Sequence, residues 1–255
     1  MSDLSSKKSE FQTPSLIATA LEPRSVGELG AHYASRRWLK NLPKGDGHSV
    51  VVFPGFLTSG LSTRPLRRLL RDLNYVVHDW GFGRNIRFNP QFESEMQAMV
   101  LEKSIECGEK VSLIGWSLGG VFAREIAREM PDRVRNVITL GSPITGTDHV
   151  ALLRPVFEYL NGPLNKELKD RIETMGAPMP VPTSSVYSKS DGIVHWHGAV
   201  QAETKTSENI RVPASHMGMG VHPLVMYVIA NRLAQADDDW APFEATGIFK
   251  YLFRR

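Results

Sequence analysis

Short apolar segments alternate along the chain with longer segments in which apolar residues recur at helical spacing. The continuous apolar run at 50–53 is typical of a strand that is buried on both faces of a parallel sheet. The leucines that follow it recur with the period of a helix that has Pro65 in its first turn. The same alternation predicts strands at 50–53, 75–80, 111–115, 134–140, 184–187 and 209–212. Strands that alternate with helices predict an α/β fold, a doubly wound, mostly parallel sheet of about six strands.

Three stretches stand apart from this alternation. Residues 1–14 are predicted to form a flexible tail, and the main domain is predicted to span 15–235. Within it, 15–42 is loosely helical, and 143–182 contains two amphipathic stripes that predict a small helical cap over the site. The alternative is an ordinary crossover with one extra helix. One face of the first stretch is expected to be buried, and its members are Val26, Leu29, His32 and Tyr33.

Composition excludes several classes of protein. Apolar residues make up 42% of the 255 positions and charged residues 22%, as in soluble globular proteins and unlike disordered or collagen-like chains. A net charge of +3 is too small to indicate a nucleic-acid partner. The single cysteine, Cys107, excludes an internal disulfide and a cysteine-rich zinc site, and no cofactor is expected. The polar N-terminus and the lack of a membrane-length apolar run predict a cytoplasmic protein.

A nucleophile motif lies between a predicted strand and a predicted helix. The residues Gly115-Trp116-Ser117-Leu118-Gly119 match the pattern G-x-S-x-G, in which a sharp turn lifts a serine hydroxyl above a sheet. The string alone is weak, because glycine and serine are common in this chain. Its position, directly after a strand and directly before a helix, is what the chemistry requires. Ser117 is therefore the predicted nucleophile.

A serine nucleophile needs a base, and the base needs an orienting carboxylate. In this scaffold the chain order is serine, acid, histidine. Asp191 follows the predicted strand at 184–187, and His216 follows the strand at 209–212. Both are predicted to converge on Ser117 and to complete a catalytic triad with it.

Several rivals for these roles stay open at this point. His222, at the start of the last helix, is the alternative base, while Glu203 and Asp148 are alternative acids. His195 and His197 form an H-x-H pair that suggests a metal, but no third ligand has a suitable spacing, so pocket or surface roles are favoured.

The oxyanion hole is predicted to use two backbone N–H groups. Leu118 supplies the one that follows the nucleophile, and Phe56 supplies the one from the Pro-Gly turn after the first strand.

Residues of the insertion are predicted to line a hydrophobic acyl pocket. The pocket candidates are Leu153, Phe157 and Leu160, together with Trp116 beside the nucleophile. Arg84, in the loop after the second strand, is a candidate for binding an anionic group on the substrate, against the simpler interpretation of a solvated loop.

The chain resembles the α/β-hydrolase family, in particular its small lipase-like and esterase-like members, over about 49–235. The resemblance rests on the order and spacing of several motifs, which are Pro54-Gly55-Phe56, Gly115-Trp116-Ser117-Leu118-Gly119-Gly120, Gly141-Ser142-Pro143 with Gly146-Thr147, Ser190-Asp191-Gly192-Ile193-Val194 and Ser215-His216-Met217-Gly218. It implies the triad and oxyanion residues named above. The chain departs from many such lipases at Pro54, where they have histidine, and at 194–195, where they have Val-Pro. The family's two leading antiparallel strands are also not apparent, so a reduced sheet is expected.

The expected function is hydrolysis of a small-molecule carboxylic ester with a hydrophobic acyl group, through an acyl-enzyme. The alternatives are an acyltransferase with the same triad and a non-catalytic ligand-binding protein of the same fold. The aromatic and basic tail at 236–255 is compatible with a membrane surface, but docking on its own domain is favoured. The oligomeric state stays open.

Overall fold

The computed structural model describes residues 13–145, 153–163, 174–237 and 239–253. The strands are β1 (Ser49–Phe53), β2 (Val76–Asp79), β3 (Val111–Trp116), β4 (Val134–Leu140), β5 (Thr183–Tyr187) and β6 (Ser207–Arg211). The α-helices are α1 (Leu16–Ala20), α2 (Ser25–Ala34), α3 (Arg36–Leu39), α4 (Arg64–Asp72), α5 (Pro90–Cys107), α6 (Leu118–Glu129), α7 (Arg154–Asn161) and α8 (Pro223–Leu233). Short 3₁₀ turns lie at Glu22–Arg24, Pro131–Arg133, Trp196–Ala199 and Gly247–Tyr251.

The six strands form one sheet in the order β2-β1-β3-β4-β5-β6, and every pair of neighbours is parallel. The predicted fold class is confirmed. From β1 the chain first adds β2 on one side and then crosses to the other side for β3 and all later strands. The gap between the carboxyl ends of β1 and β3 is therefore the topological switch point, where such sheets form their sites.

Alternate residues of each strand face two separate hydrophobic layers, as the two-residue period of a strand dictates. On β1, Val50 and Val52 pack in a cluster with the leucines of α4 and the apolar side chains of α8. Val51 and Phe53 point the other way, into a cluster with α5 and α6. Burial on both faces explains why this strand is a continuous apolar run.

The N-terminal stretch is helical as expected, but of the four residues predicted to form its buried face only His32 is buried. In α2, Val26 is 75% exposed and Tyr33 is 59% exposed, and Leu29 is also exposed. The inward stripe of this helix contains Glu28 and His32, and Glu28 bonds to polar groups of a loop at the carboxyl edge of the sheet rather than packing in an apolar core. The inward stripe is thus polar, and His32 is the one residue that it shares with the predicted face.

The insertion after β4 is described only in part. Its first predicted stripe corresponds to α7, whereas most of the second stripe, at 164–172, and the predicted tail at 1–12 lie outside the described residues. The buried Arg124 of α6 fixes the return of the insertion, because its guanidinium donates to the carbonyl oxygens of Met175 and Ala177 and to the side chain of Gln201. Burial lowers the pKa of Arg124 to about 9.

The C-terminal residues pack on the last helix. The ring of Phe249 lies 4.7 Å from that of Tyr227 and 5.3 Å from that of Trp38, and Phe243 and Phe253 complete the aromatic cluster. Across the part of the chain that the structure describes, no helix combines the length and apolar character needed to cross a bilayer.

Candidate active site

Ser117 occupies a sharp turn between β3 and α6. Its backbone has φ 53° and ψ −123°, a left-handed conformation that L-residues avoid. Such a conformation costs about 1–3 kcal/mol and persists only where the surroundings impose it. Here the Ser117 N–H donates to the carbonyl of Leu140 at 2.9 Å, and α6 starts at the next residue. The predicted nucleophile therefore has the strained geometry that its sequence motif implies.

The loop after β1 lies against the start of α6. A Cβ at Gly119 would come within 2.5 Å of the Phe53 carbonyl oxygen, so only glycine allows this approach. The Cβ position of Gly55 is 3.4 Å from Ser117 Cβ. The two predicted oxyanion donors, Phe56 and Leu118, thus belong to segments that meet beside the nucleophile.

This loop is held from beneath by Asn85, which is fully buried. Its side-chain amide donates to the Pro54 carbonyl at 2.8 Å, and its backbone exchanges hydrogen bonds with Leu57 and Thr58. Asn85 is a supporting residue that sequence reasoning missed, because nothing in the loop sequence distinguishes it from a solvated asparagine.

Asp191 and His216 form a buried pair at the carboxyl edge of the sheet. Asp191 Oδ2 lies 2.7 Å from His216 Nδ1, and the other carboxylate oxygen accepts the N–H groups of Ile193 and Val194 at 2.9 and 2.8 Å. Three contacts therefore fix the carboxylate, and its bond to Nδ1 leaves Nε2 as the ring nitrogen that Asp191 does not engage.

The charge state of His216 is set by opposing effects. Burial disfavours the imidazolium and lowers the pKa, while the charge of Asp191, its hydrogen bond and the charge of Glu22 raise it. The net direction is a pKa above the ordinary value for histidine.

A direct contact joins the loop of His216 to β3, the strand that leads into Ser117. The indole N–H of Trp116 donates to the His216 carbonyl at 3.1 Å, and the two rings are 6.1 Å apart. Trp116 is 5% exposed and packs in the core. The structure thus brings His216 next to the residue that precedes Ser117, and the observed contact of Trp116 is with this loop.

Aromatic side chains of the insertion approach the oxyanion loop. The ring of Phe157 in α7 lies 5.6 Å from that of Phe56. Leu153 is partly buried at the start of α7, and Leu160 is exposed. Arg84 is exposed, and its backbone forms an isolated antiparallel bridge with Ser59 near the same loop.

The rival residues have other contacts. His222 caps α8, accepting the Leu224 N–H at its Nδ1. The side chain of Glu203 accepts a bond from Asn209, and Asp148 lies outside the described residues. Among the described residues, no group of three His, Cys, Asp or Glu side chains is arranged to hold a metal ion.

Sequence reasoning also missed the contacts of the N-terminal helical segment. Arg24 donates to the carbonyl and hydroxyl oxygens of Ser190, next to the acid, while Glu28 accepts the N–H and hydroxyl of Ser215, next to the base. Charged residues in a polar helix give no signal of such contacts, because a solvated face has the same composition.

Comparison with known proteins agrees with this geometry. A model of the palmitoyl protein thioesterase family matches residues 50–177, half of the chain. Pimeloyl-[acyl-carrier protein] methyl ester esterases are similar in sequence. The one from Aliivibrio salmonicida is 33% identical over 102 residues (39% of this chain, 38% of that protein), and the one from Yersinia enterocolitica is 38% identical over 107 (42% and 40%). The chain thus matches about two-fifths of the length of these curated relatives.

Solved structures share the fold at low sequence identity. Aspergillus fumigatus lipase B superposes with a TM-score of 0.57 at 19% identity, over 76% of this chain and 54% of that one. A Bacillus licheniformis lipase superposes with a TM-score of 0.56 at 16% identity, over 76% and 94%. The chain therefore has the α/β-hydrolase fold and belongs to the palmitoyl protein thioesterase family.

Proposed function

We propose that this protein is a serine hydrolase that cleaves carboxylic esters or thioesters through an acyl-enzyme, with Ser117, His216 and Asp191 as its triad. The buried bond between Asp191 and His216, at the sheet edge where Ser117 sits in its strained turn, is the observation that carries the proposal. The names of the curated relatives and of the family support an acyl-transfer reaction with water as the final acceptor.

Each proposed residue has one role in the two steps. His216 takes the Ser117 proton as Oγ attacks the acyl carbonyl carbon, and the N–H groups of Phe56 and Leu118 stabilise the oxyanion. The tetrahedral intermediate collapses, and the leaving alkoxide or thiolate receives the proton from His216. Water then gives a proton to His216 and attacks the acyl carbon; the second tetrahedral intermediate collapses, the bond to Ser117 Oγ breaks, and His216 returns the proton to Oγ as the carboxylic acid leaves. Asp191 stays ionised throughout and stabilises the imidazolium.

The acyl group is proposed to be hydrophobic. Phe157 packs against Phe56, and Phe88 lies 5.6 Å from Phe157. These rings supply apolar area beside the proposed oxyanion hole, with Leu153 and Leu160 on the same helical segment. A straight acyl chain would bury about 0.8 kcal/mol per methylene along such a surface. Arg84 is proposed as a contact for a carboxylate or phosphate on the substrate.

The test combines covalent labelling with ester hydrolysis. Wild-type protein treated with a fluorophosphonate is expected to carry the label on Ser117, as read by peptide mass spectrometry. Ser117→Ala is expected to abolish labelling and to lower kcat for p-nitrophenyl esters by about a million-fold. Ser94→Ala, an exposed serine on α5, is the matched control and is expected to retain full activity. Esters from acetyl to palmitoyl, with palmitoyl-CoA as the thioester, then define the acyl and leaving groups.

The competing functions give different results in the same assay. An acyltransferase would transfer most of the acyl group to an added alcohol or amine rather than to water. A non-catalytic binding protein would neither label nor hydrolyse, and this result would refute the proposal.

The proposed partner is a small-molecule substrate, and the proposed compartment is the reducing cytoplasm.

A further inference from the structure

Glu22 lies at the junction of the two loops that carry the proposed acid and base. It begins the short 3₁₀ turn Glu22–Arg24 and is 8% exposed. One carboxylate oxygen accepts the N–H of Gly192 at 2.8 Å and the N–H of His216 at 2.9 Å. The other oxygen accepts the N–H of Met217 at 2.9 Å. The Glu22 side chain thus links Gly192, on the acid loop, to His216 and Met217, on the base loop.

We infer that Glu22 is a positioning residue, which holds the acid loop and the base loop in the register that pairs Asp191 with His216. The inference rests on the proposed function, because it assigns Glu22 a role in that same triad. It assigns this role to a residue outside the family match at 50–177.

The bonding pattern favours this role over simple packing. A buried carboxylate is costly unless hydrogen bonds replace its water, and three backbone N–H groups do so here. Within the described residues Glu22 makes no ion pair, so its charge is not neutralised by a neighbouring cation. Loss of the carboxylate would leave three N–H groups on two different loops without their acceptor, and the two loops would lose their common anchor.

The surrounding charges are arranged so that Glu22 acts on His216 directly. Asp191 faces the imidazole from the loop after β5, and Glu22 faces its backbone from the N-terminal segment. Arg24 and Glu28 also belong to that segment. Arg24 Nε lies 3.4 Å from Glu28 Oε1, and the two side chains bond to Ser190 and Ser215 rather than to Asp191 or His216. The charge of Glu22 acts in the same direction as that of Asp191 on the pKa of His216, which it raises against the effect of burial.

Contact with the acid loop extends beyond Glu22. The Thr19 hydroxyl donates to the Gly192 carbonyl at 2.8 Å, and a Cβ at Gly192 would clash with the backbone of Ala18. Ala18 and Thr19 therefore pack against Gly192, and Glu22 accepts the Gly192 N–H. These contacts fix the turn that carries Asp191.

Two substitutions separate the geometry of Glu22 from its charge. Glu22→Gln keeps the reach of the side chain but removes the charge and turns an N–H₂ toward one of the three donors. Glu22→Asp keeps the charge but shortens the side chain by one methylene, so that it no longer reaches both loops. Glu129→Gln, an exposed glutamate on α6, is the control for a change in net charge.

The readouts are kcat/KM for a p-nitrophenyl ester across pH, thermal unfolding and fluorophosphonate labelling. Both Glu22 variants are expected to lose about 10–100-fold in kcat/KM, the scale of an ångström-level misplacement of catalytic groups. In Glu22→Gln the acid limb of the profile is expected to move to lower pH, whereas Glu22→Asp keeps it in place. The Glu129→Gln control is expected to match wild type in both respects.

The outcomes distinguish this inference from the proposed function. An active wild type with Glu22 variants that keep kcat/KM, or that only unfold at lower temperature while the acid limb stays fixed in Glu22→Gln, would overturn the inference alone. A wild type that neither hydrolyses nor labels would overturn the proposed function and the inference with it. If Glu22→Gln does not fold, kcat/KM of Glu22→Asp, measured well below its unfolding temperature, decides: a loss of about 10–100-fold supports the inference, and a value equal to that of wild type overturns it.

Discussion

Replacing Gly141 by alanine is expected to lower kcat as well as stability. Gly141 follows β4 with φ +55°, and its N–H donates to the Val186 carbonyl at 2.8 Å, which fixes the backbone. An added Cβ would lie 3.0 Å from Asp191 Oδ2 and 3.2 Å from His216 Nδ1. It would therefore press directly on the hydrogen bond that orients the base.

The size of the effect follows from two separate terms. The left-handed backbone costs alanine about 1–2 kcal/mol, because its Cβ approaches the carbonyl oxygen. The Cβ contacts with Asp191 and His216 are a few tenths of an ångström closer than ordinary van der Waals contact. The carboxylate cannot simply retreat, since its other oxygen is held by two N–H groups. The pair is therefore displaced, and kcat is expected to fall roughly 10–100-fold.

A matched control isolates the crowding from the backbone strain. Gly108 ends α5 with φ +71°, and a Cβ there would meet nothing within 4 Å. Gly108→Ala thus carries the same kind of strain without the contact. Both variants are expected to unfold about 2–4 °C lower per kcal/mol lost, while only Gly141→Ala loses activity. Equal kcat values for the two variants would refute the reasoning.

Three further predictions concern the base, the acyl surface and the oxyanion loop. Burial lowers the pKa of His216, but the charge and hydrogen bond of Asp191 outweigh this effect, so the acid limb of the kcat/KM profile is expected above the ordinary pKa of histidine. Asp191→Asn should move that limb to lower pH and reduce kcat about 10⁴-fold. Both effects are measured from pH–rate profiles. Phe157→Ala should lower kcat/KM at least about tenfold for octanoyl and longer esters and leave kcat/KM for acetyl esters nearly unchanged, because only long chains reach the lost ring. Tyr159→Ala is the control, since Tyr159 is exposed on the same helix. Asn85→Ala should destabilise the fold by about 1–3 kcal/mol in urea titrations and also reduce kcat, because the buried carbonyl of Pro54 loses its hydrogen-bond donor. A loss of stability with full kcat would show that the catalytic geometry of the loop after β1 does not depend on Asn85.

The centre of the sheet was predictable because strands such as β1 and β3 are buried on both faces. In β1 the four residues after Ser49 are all apolar, and this leaves a short continuous run of the kind that buried parallel strands show. The proximity of Asp191 to His216 was predictable for a related reason. Parallel strands end at one edge, so polar residues that directly follow β5 and β6 are brought to the same place.

The N-terminal helix was not predictable in the same way. Periodicity in α2 identifies two stripes but does not say which one faces inward, and the usual preference for burying apolar residues gave the wrong answer for Val26 and Tyr33. The polar stripe faces inward because Glu28 has backbone and hydroxyl donors to satisfy. Both donors belong to Ser215, which is 187 residues further along the chain, so the local sequence does not reveal them.

Arg124 illustrates the same limit inside the domain. Arginine is rarely fully buried without a carboxylate, and its position in α6 predicts nothing unusual. It is fully buried because carbonyl groups of the returning insertion converge on it. Only the tertiary arrangement supplies those acceptors.

The aromatic cluster on α8 has a consequence for how the chain folds during synthesis. Trp38 and Tyr227 are covered by Phe249, which leaves the ribosome after every strand of the sheet has been translated. Until then these two rings present an exposed apolar surface to other nascent chains. Partly folded chains in which Phe249 has not yet docked on these rings are therefore expected to associate more readily than the folded protein.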